Sequence, residues 1–187
     1  MRSIILIVHL SLDGYTAGPK GELTYFSPSA ENLDVVNGIT ANADTALFGR
    51  KTYELLNPYW PSRYQDPAAS PAEIAYSEWY NAARKIVVST TLQENERDNI
   101  EIIREPSVAK LHALKQQPGK NILLFGSPTL SETLMLNDLI DEFQILMYPA
   151  FFGKGLPLFA NLTEKVGLKL MQSEVLTKGE LMLHYKR

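Results

Sequence analysis

The feature that most constrains this chain is how its apolar residues are grouped. Short, nearly continuous apolar runs at 4–10, 45–48, 85–89, 100–103 and 121–125 are separated by stretches with helical spacing. Runs of this kind suit strands covered on both faces, and strands alternating with helices build a mostly parallel α/β sheet. Beyond Asp141 the helical spacing stops: 142–149, 168–176 and 180–185 read as successive strands, with Lys178-Gly179 turning a closing antiparallel hairpin. Among the intervening stretches, Leu33, Val36 and Ile39 mark one helix face, and 52–56, 71–82, 108–116 and 128–136 are further helices. Pro71 and Pro128 suit first helical positions, with Ser70 and Ser127 as caps. The stretch 57–71 carries four prolines together with Tyr59, Trp60 and Tyr64, and reads as a long loop of the kind that often forms a lid.

Composition narrows the function. With 187 residues, 45% of them hydrophobic, the chain is expected to fold as a single domain over 1–187. A formal net charge of −3 leaves no basic excess for gripping a nucleic-acid backbone. The absence of cysteine removes disulfides, thiolate metal sites and thiol nucleophiles, and His9, His112 and His184 lie too far apart to suggest a metal motif. The run at 4–8 is too short to span a bilayer, so a cytoplasmic protein with no membrane partner is expected.

The chemistry lies where strands end. The run at 45–48 passes directly into Gly49-Arg50-Lys51-Thr52 and a helix; glycine admits close approach, and free amides with two cations suit an anion. An ordinary strand-to-helix turn with solvated basic residues has the same sequence. A second turn, Gly126-Ser127-Pro128-Thr129, follows the run at 121–125, and both would face the carboxyl edge where open sheets bind nucleotides. Neither has the spacing of a Walker A loop or of G-x-G-x-x-G. A third strand ends in Ser89-Thr90-Thr91, whose hydroxyls can donate to a phosphate or simply terminate an edge strand. Asp13-Gly14 after the first strand is a turn signal, and Asp13 either caps that turn or acts on a ligand.

In their order along the chain, Ser11-Leu-Asp-Gly-Tyr-Thr-Ala17, Phe48-Gly-Arg-Lys-Thr-Tyr53, Ile86-Val-Val-Ser-Thr-Thr91, Leu124-Phe-Gly-Ser127 and Tyr148-Pro-Ala-Phe-Phe-Gly-Lys-Gly-Leu-Pro-Leu158 resemble the dihydrofolate reductase-like superfamily. The chain is most similar to the reductase domain of the bifunctional riboflavin-biosynthesis deaminase/reductase and its stand-alone bacterial relatives. The resemblance implies a three-layer α/β/α fold, with a mostly parallel central sheet and a C-terminal antiparallel hairpin. It implies an NADPH-dependent oxidoreductase that passes hydride to a small heterocycle, pterin/folate-like or ribosylaminopyrimidine-like. Reduction of 5-amino-6-(5-phosphoribosylamino)uracil is one alternative, and a non-catalytic nucleotide-binding or sensing protein is another.

By the same resemblance, Gly49, Arg50, Lys51 and Thr52 meet the cofactor's phosphates. Ser89 and Thr90 lie beside its 2′-phosphate, and Gly126, Ser127, Pro128 and Thr129 hold its pyrophosphate. Ser127 departs from the classical reductases, which have a second glycine there. Asp13, Glu31 and Asp34 are the acids expected to assist proton transfer. The family likeness also implies a homodimer, and the chain has no H-x-E zinc motif for deamination.

Overall fold

The computed structural model describes residues 1–93, 99–104 and 108–187. Strand β1 (Ile4–Leu10) shows how the layers form. Ile4, Leu6, Val8 and Leu10 pack on one face with Leu111 and Leu114 of α5 (Val108–Gln116) and Leu130 and Leu134 of α6 (Pro128–Leu136). Ile5 and Ile7 pack on the other with Val36 of α1 (Ala30–Thr40) and Tyr76 and Tyr80 of α4 (Pro71–Ala82). Full burial of each such side chain contributes roughly 1.5–3 kcal/mol. A strand that is apolar on both faces therefore sits between two helical layers.

The remaining strands are β2 (Tyr15–Ala17), β3 (Ala43–Gly49), β4 (Arg84–Val88), β5 (Ile100–Ile103), β6 (Asn121–Phe125), β7 (Glu142–Met147), β8 (Leu156–Pro157), β9 (Lys169–Val175) and β10 (Leu181–Lys186). The main sheet runs β5-β4-β3-β6-β1-β7-β10-β9. Strands β5 through β7 in that order are parallel, and β10 and β9 close the sheet antiparallel. The α/β architecture and terminal hairpin expected above are thus present. The short pair β2 and β8 had no sequence signal; it joins the segment after β1 to the crossing that follows β7.

Two expectations are corrected. The proline-rich stretch is no lid, because Trp60–Arg63 forms a short helix, α3, docked on α4. The Trp60 and Tyr76 rings lie 4.3 Å apart, Ser77 Oγ donates to Trp60 O at 2.6 Å, and Arg63 pairs with Glu73 at 2.9 Å. Trp60 and Arg63 anchor this helix to α4, while Tyr59 and Tyr64 remain exposed. Ser70 does cap α4, completing a capping box with Glu73. Ser127, by contrast, precedes α6 in a left-handed conformation (φ 57°, ψ 73°) and makes no side-chain cap.

Candidate active site

All six parallel strands end on one edge, and the connections there diverge. From β3 (through α2, Arg50–Leu56) the chain moves outward to β4, whereas from β6 it moves the other way, past β1 to β7. The crevice between β3 and β6 is therefore a topological switch point, where open α/β sheets take ligands. The two glycine turns meet in it: a Cβ built on Gly49 would lie 2.0 Å from Ser127 Oγ. Gly126 (φ 46°) and Ser127 both have positive φ, and in a serine this backbone is uncommon. A glycine-preferring conformation held by serine is a local strain located at the crevice.

Next to it, Arg50, Val88, Ser89, Thr90, Thr91 and Arg104 line a pocket of about 350 Å³. Arg50, Ser89 and Thr90 were expected from the sequence, and the structure brings them together. Arg50 is oriented by Glu54 (2.7 Å), and Ser89 Oγ accepts from the Leu92 and Thr91 amides at 2.9 and 3.2 Å. Arg104 was missed, although it follows β5 as the other turn residues follow their strands; its guanidinium donates to Leu92 O at 2.6 Å. Lys51 is exposed and does not line this pocket, Thr52 is half-buried on α2, and Pro128 and Thr129 form the first turn of α6. Two guanidinium groups and hydroxyls around an open pocket suit a dianionic phosphate. Where the turns touch, Ser127 fills the space over Gly49 and Gly126 stays uncrowded, so its backbone can meet a second phosphate and the residues fit a phosphorylated dinucleotide.

The three acids take other positions. Asp13 Oδ1 accepts from Ser11 Oγ (2.6 Å) and the Phe152 amide (3.0 Å), and Oδ2 accepts from the Gly153 amide (2.8 Å). Partial desolvation raises its carboxyl, but these donors outweigh it and hold the group below its ordinary value. Asp13 is thus an ionised clasp between the loop after β1 and the crossing after β7. Glu31 accepts from the Thr177 amide (2.9 Å) and hydroxyl (3.1 Å), tying α1 to the terminal hairpin. Asp34 is exposed. Helical periodicity explains these placements: α1 turns Asn32, Val36 and Thr40 inward and its acids outward.

Asn32 instead belongs to a polar group whose members lie far apart along the chain. Its Nδ2 donates to Tyr148 OH at 3.2 Å, and its side chain also hydrogen bonds His9. The His9 ring packs edge-on to Tyr148 and Phe26, with centroids 5.4 and 5.6 Å apart. Burial pushes His9 down to about 4, against the opposing pull of Asn32 and the Glu180 charge. Burial and the same carboxylate push the Tyr148 hydroxyl up. Glu180 is 1% exposed and accepts from the Ser29 amide at 2.6 Å. Among the described residues there is no cluster of three or more His, Cys, Asp or Glu able to hold a metal ion, and no helix is long and apolar enough to cross a membrane.

Residues 2–182 match the family model described as the RibD C-terminal domain. The protein YyaP of Bacillus subtilis (strain 168) is 32% identical across 98% of this chain and 94% of its own. Among solved structures, a putative riboflavin biosynthesis protein from Shewanella sp. PV-4 superposes with a TM-score of 0.77 at 24% identity, covering 99% of this chain and 98% of that one. A diaminohydroxyphosphoribosylaminopyrimidine deaminase/5-amino-6-(5-phosphoribosylamino)uracil reductase from Thermotoga maritima gives 0.70 at 16% identity, with 99% of this chain covering 56% of that one.

Proposed function

The chain belongs to the RibD C-terminal domain family, and from that membership we propose that it is an NADPH-dependent reductase of a ribosylaminopyrimidine-like substrate. The observation that carries this reading is the juxtaposition of the Arg50–Arg104 pocket with the crevice where Gly49 meets Ser127. The pocket takes the phosphate that distinguishes NADPH from NADH; the crevice takes the pyrophosphate, with Gly126, which no neighbouring atom crowds, admitting it to the backbone. When bound, the nicotinamide supplies hydride to the substrate carbon. The chain's part is to orient the two ligands across the end of β1 and to exclude water. Asp13, ionised and fully engaged, fixes the wall formed by the segment after β1 and the 152–153 crossing. The proton that completes reduction comes from water, since Asp13, Glu31 and Asp34 are occupied elsewhere or face outward.

The reading includes a cytoplasmic homodimer. Every residue of the edge strand β9 is exposed, including Leu170, Met171 and Val175. A long apolar edge of this kind invites a second copy.

The test is NADPH oxidation by the purified protein in the presence of 5-amino-6-(5-phosphoribosylamino)uracil, with dihydrofolate in parallel. Pyrimidine-dependent oxidation, much slower with NADH, is the expected result. Oxidation with dihydrofolate alone would move the substrate to the pterin class. Tight NADPH binding without turnover on either would leave a nucleotide-binding protein.

A further inference from the structure

The group around His9 lies at the end of β1 but outside the phosphate machinery. Gly126 N–H reaches Ile7 O at 3.1 Å, and β6 ends one residue earlier, at Phe125. By strand alternation the His9 peptide faces the same side as that of Ile7, into the space beyond the end of β6. Its side chain lies on the α1 face, against Asn32, Tyr148 and Phe26. Asn32, Tyr148 and Glu180 are 4%, 5% and 1% exposed. His9 alone of the four is only half-buried, and it stands at the carboxyl end of β1.

The supports behind the ring come from three separate elements. Asn32 is on α1, Tyr148 follows β7, and Glu180 precedes β10, where it also grips the start of α1 through the Ser29 amide. Asn32, whose Nδ2 donates to Tyr148 OH, lies against the His9 ring and has a carbonyl oxygen able to accept from it. A neutral imidazole with one N–H committed in this way presents its other nitrogen as an acceptor. Burying Asn32, Tyr148 and Glu180 for packing alone is costly, whereas a fixed acceptor at the end of β1 gives a ligand a defined orientation.

We infer that His9, held by Asn32 and Tyr148, is a substrate-contact residue that accepts a hydrogen bond from an N–H or O–H of the reducible substrate, such as a ring imide or a sugar hydroxyl. This rests on the reductase reading and assigns that reading a specificity group. Asn32 is a positioning residue, acting through the ring.

The experiment uses full-length protein carrying isotope-labelled histidine and loaded with NADP⁺, titrated with a ribitylaminopyrimidine. The His9 imidazole signal is identified by its loss in His9→Leu. The expected result is a shift of the His9 signal on pyrimidine binding, with His112 and His184 unmoved. In turnover, His9→Leu raises KM about tenfold or more and leaves NADPH affinity unchanged. His9→Gln, which keeps an acceptor, restores most of the loss, and Asn32→Leu gives an intermediate KM. Calorimetric binding of the pyrimidine with the His9 signal unmoved, or an unchanged KM in His9→Leu, overturns the inference while leaving the reductase reading intact. If the pyrimidine fails to bind protein that still binds NADPH, the substrate reading fails and the inference falls with it.

Discussion

The two halves of the carboxyl edge are built on different principles. Over β3, β4 and β6 the proposed cofactor groups lie in consecutive residues at strand ends: Gly49-Arg50, Ser89-Thr90 and Gly126-Ser127. Over β1 they come singly from β1, α1, the end of β7 and the start of β10, as His9, Asn32, Tyr148 and Glu180. A phosphate is held largely by local backbone and adjacent side chains, so its site is written in short segments. A polar group assembled from four elements has no segment of its own, and each member read alone is unremarkable.

That contrast is sharpest where the two glycine turns touch, and there the largest effect is expected. Gly49→Val places a branched side chain where even a Cβ lies 2.0 Å from Ser127 Oγ. It should abolish NADPH binding and cost about 1–3 kcal/mol of stability through overpacking. The milder Gly49→Ala should be tolerated better beside Ser127→Gly than alone, a coupling that a double-mutant cycle with chemical denaturation measures. Full additivity would separate the turns.

The next effect tests whether the Arg50 pocket reads the additional phosphate. Replacing Arg50 and Arg104 together by alanine removes two charge-assisted contacts and should weaken NADPH roughly a hundredfold while leaving NADH nearly unchanged. Fluorescence titration of both cofactors decides it, and equal losses would move the arginines to the shared pyrophosphate.

The sequence was most informative where physics is local. Apolar runs located β1, β5 and β6 and the helices α4, α5 and α6 at their observed bounds, because periodicity and capping act over a few residues. The β2–β8 pair was illegible, since two strands this short are fixed only by tertiary contact. The outward placement of Glu31 and Asp34 was illegible for a related reason. Their region was identified, but which residue of that turn faces inward depends on the phase of α1 against the sheet, and that phase selects Asn32. Arg104 was legible by the same strand-end logic as Arg50, and was passed over because its strand is short and at the edge.

A smaller effect on the other half is a pH dependence of stability. His9 is held at about 4 in the folded chain against an ordinary 6.5, so the unfolded chain takes up the proton first. Its contribution is complete above about pH 6.5 and is lost as pH falls toward 4, on the order of 2 kcal/mol once the ring's partial exposure is allowed for. Asp13, Glu73 and Glu180, whose carboxyls all lie below their ordinary values, lose stability in the same direction but at lower pH. Denaturation midpoints for wild type and His9→Leu should therefore diverge chiefly between about pH 6.5 and 4.5, with the variant flatter. Parallel curves would mean that the ring is solvated in the folded protein.

The smallest effect separates conformation from contact at the boundary between the halves. Ser127 holds a left-handed backbone that costs an L-residue about 1 kcal/mol, and glycine removes that cost while adding entropy to the unfolded chain. Ser127→Gly should therefore raise stability by no more than about 0.5–1 kcal/mol. Its hydroxyl lies against Gly49, packed on β3. NADPH affinity should accordingly stay within about twofold, a difference of less than 0.5 kcal/mol. If affinity instead falls tenfold while stability rises, the hydroxyl belongs to the pyrophosphate site, and the serine is kept at this strained position for the ligand.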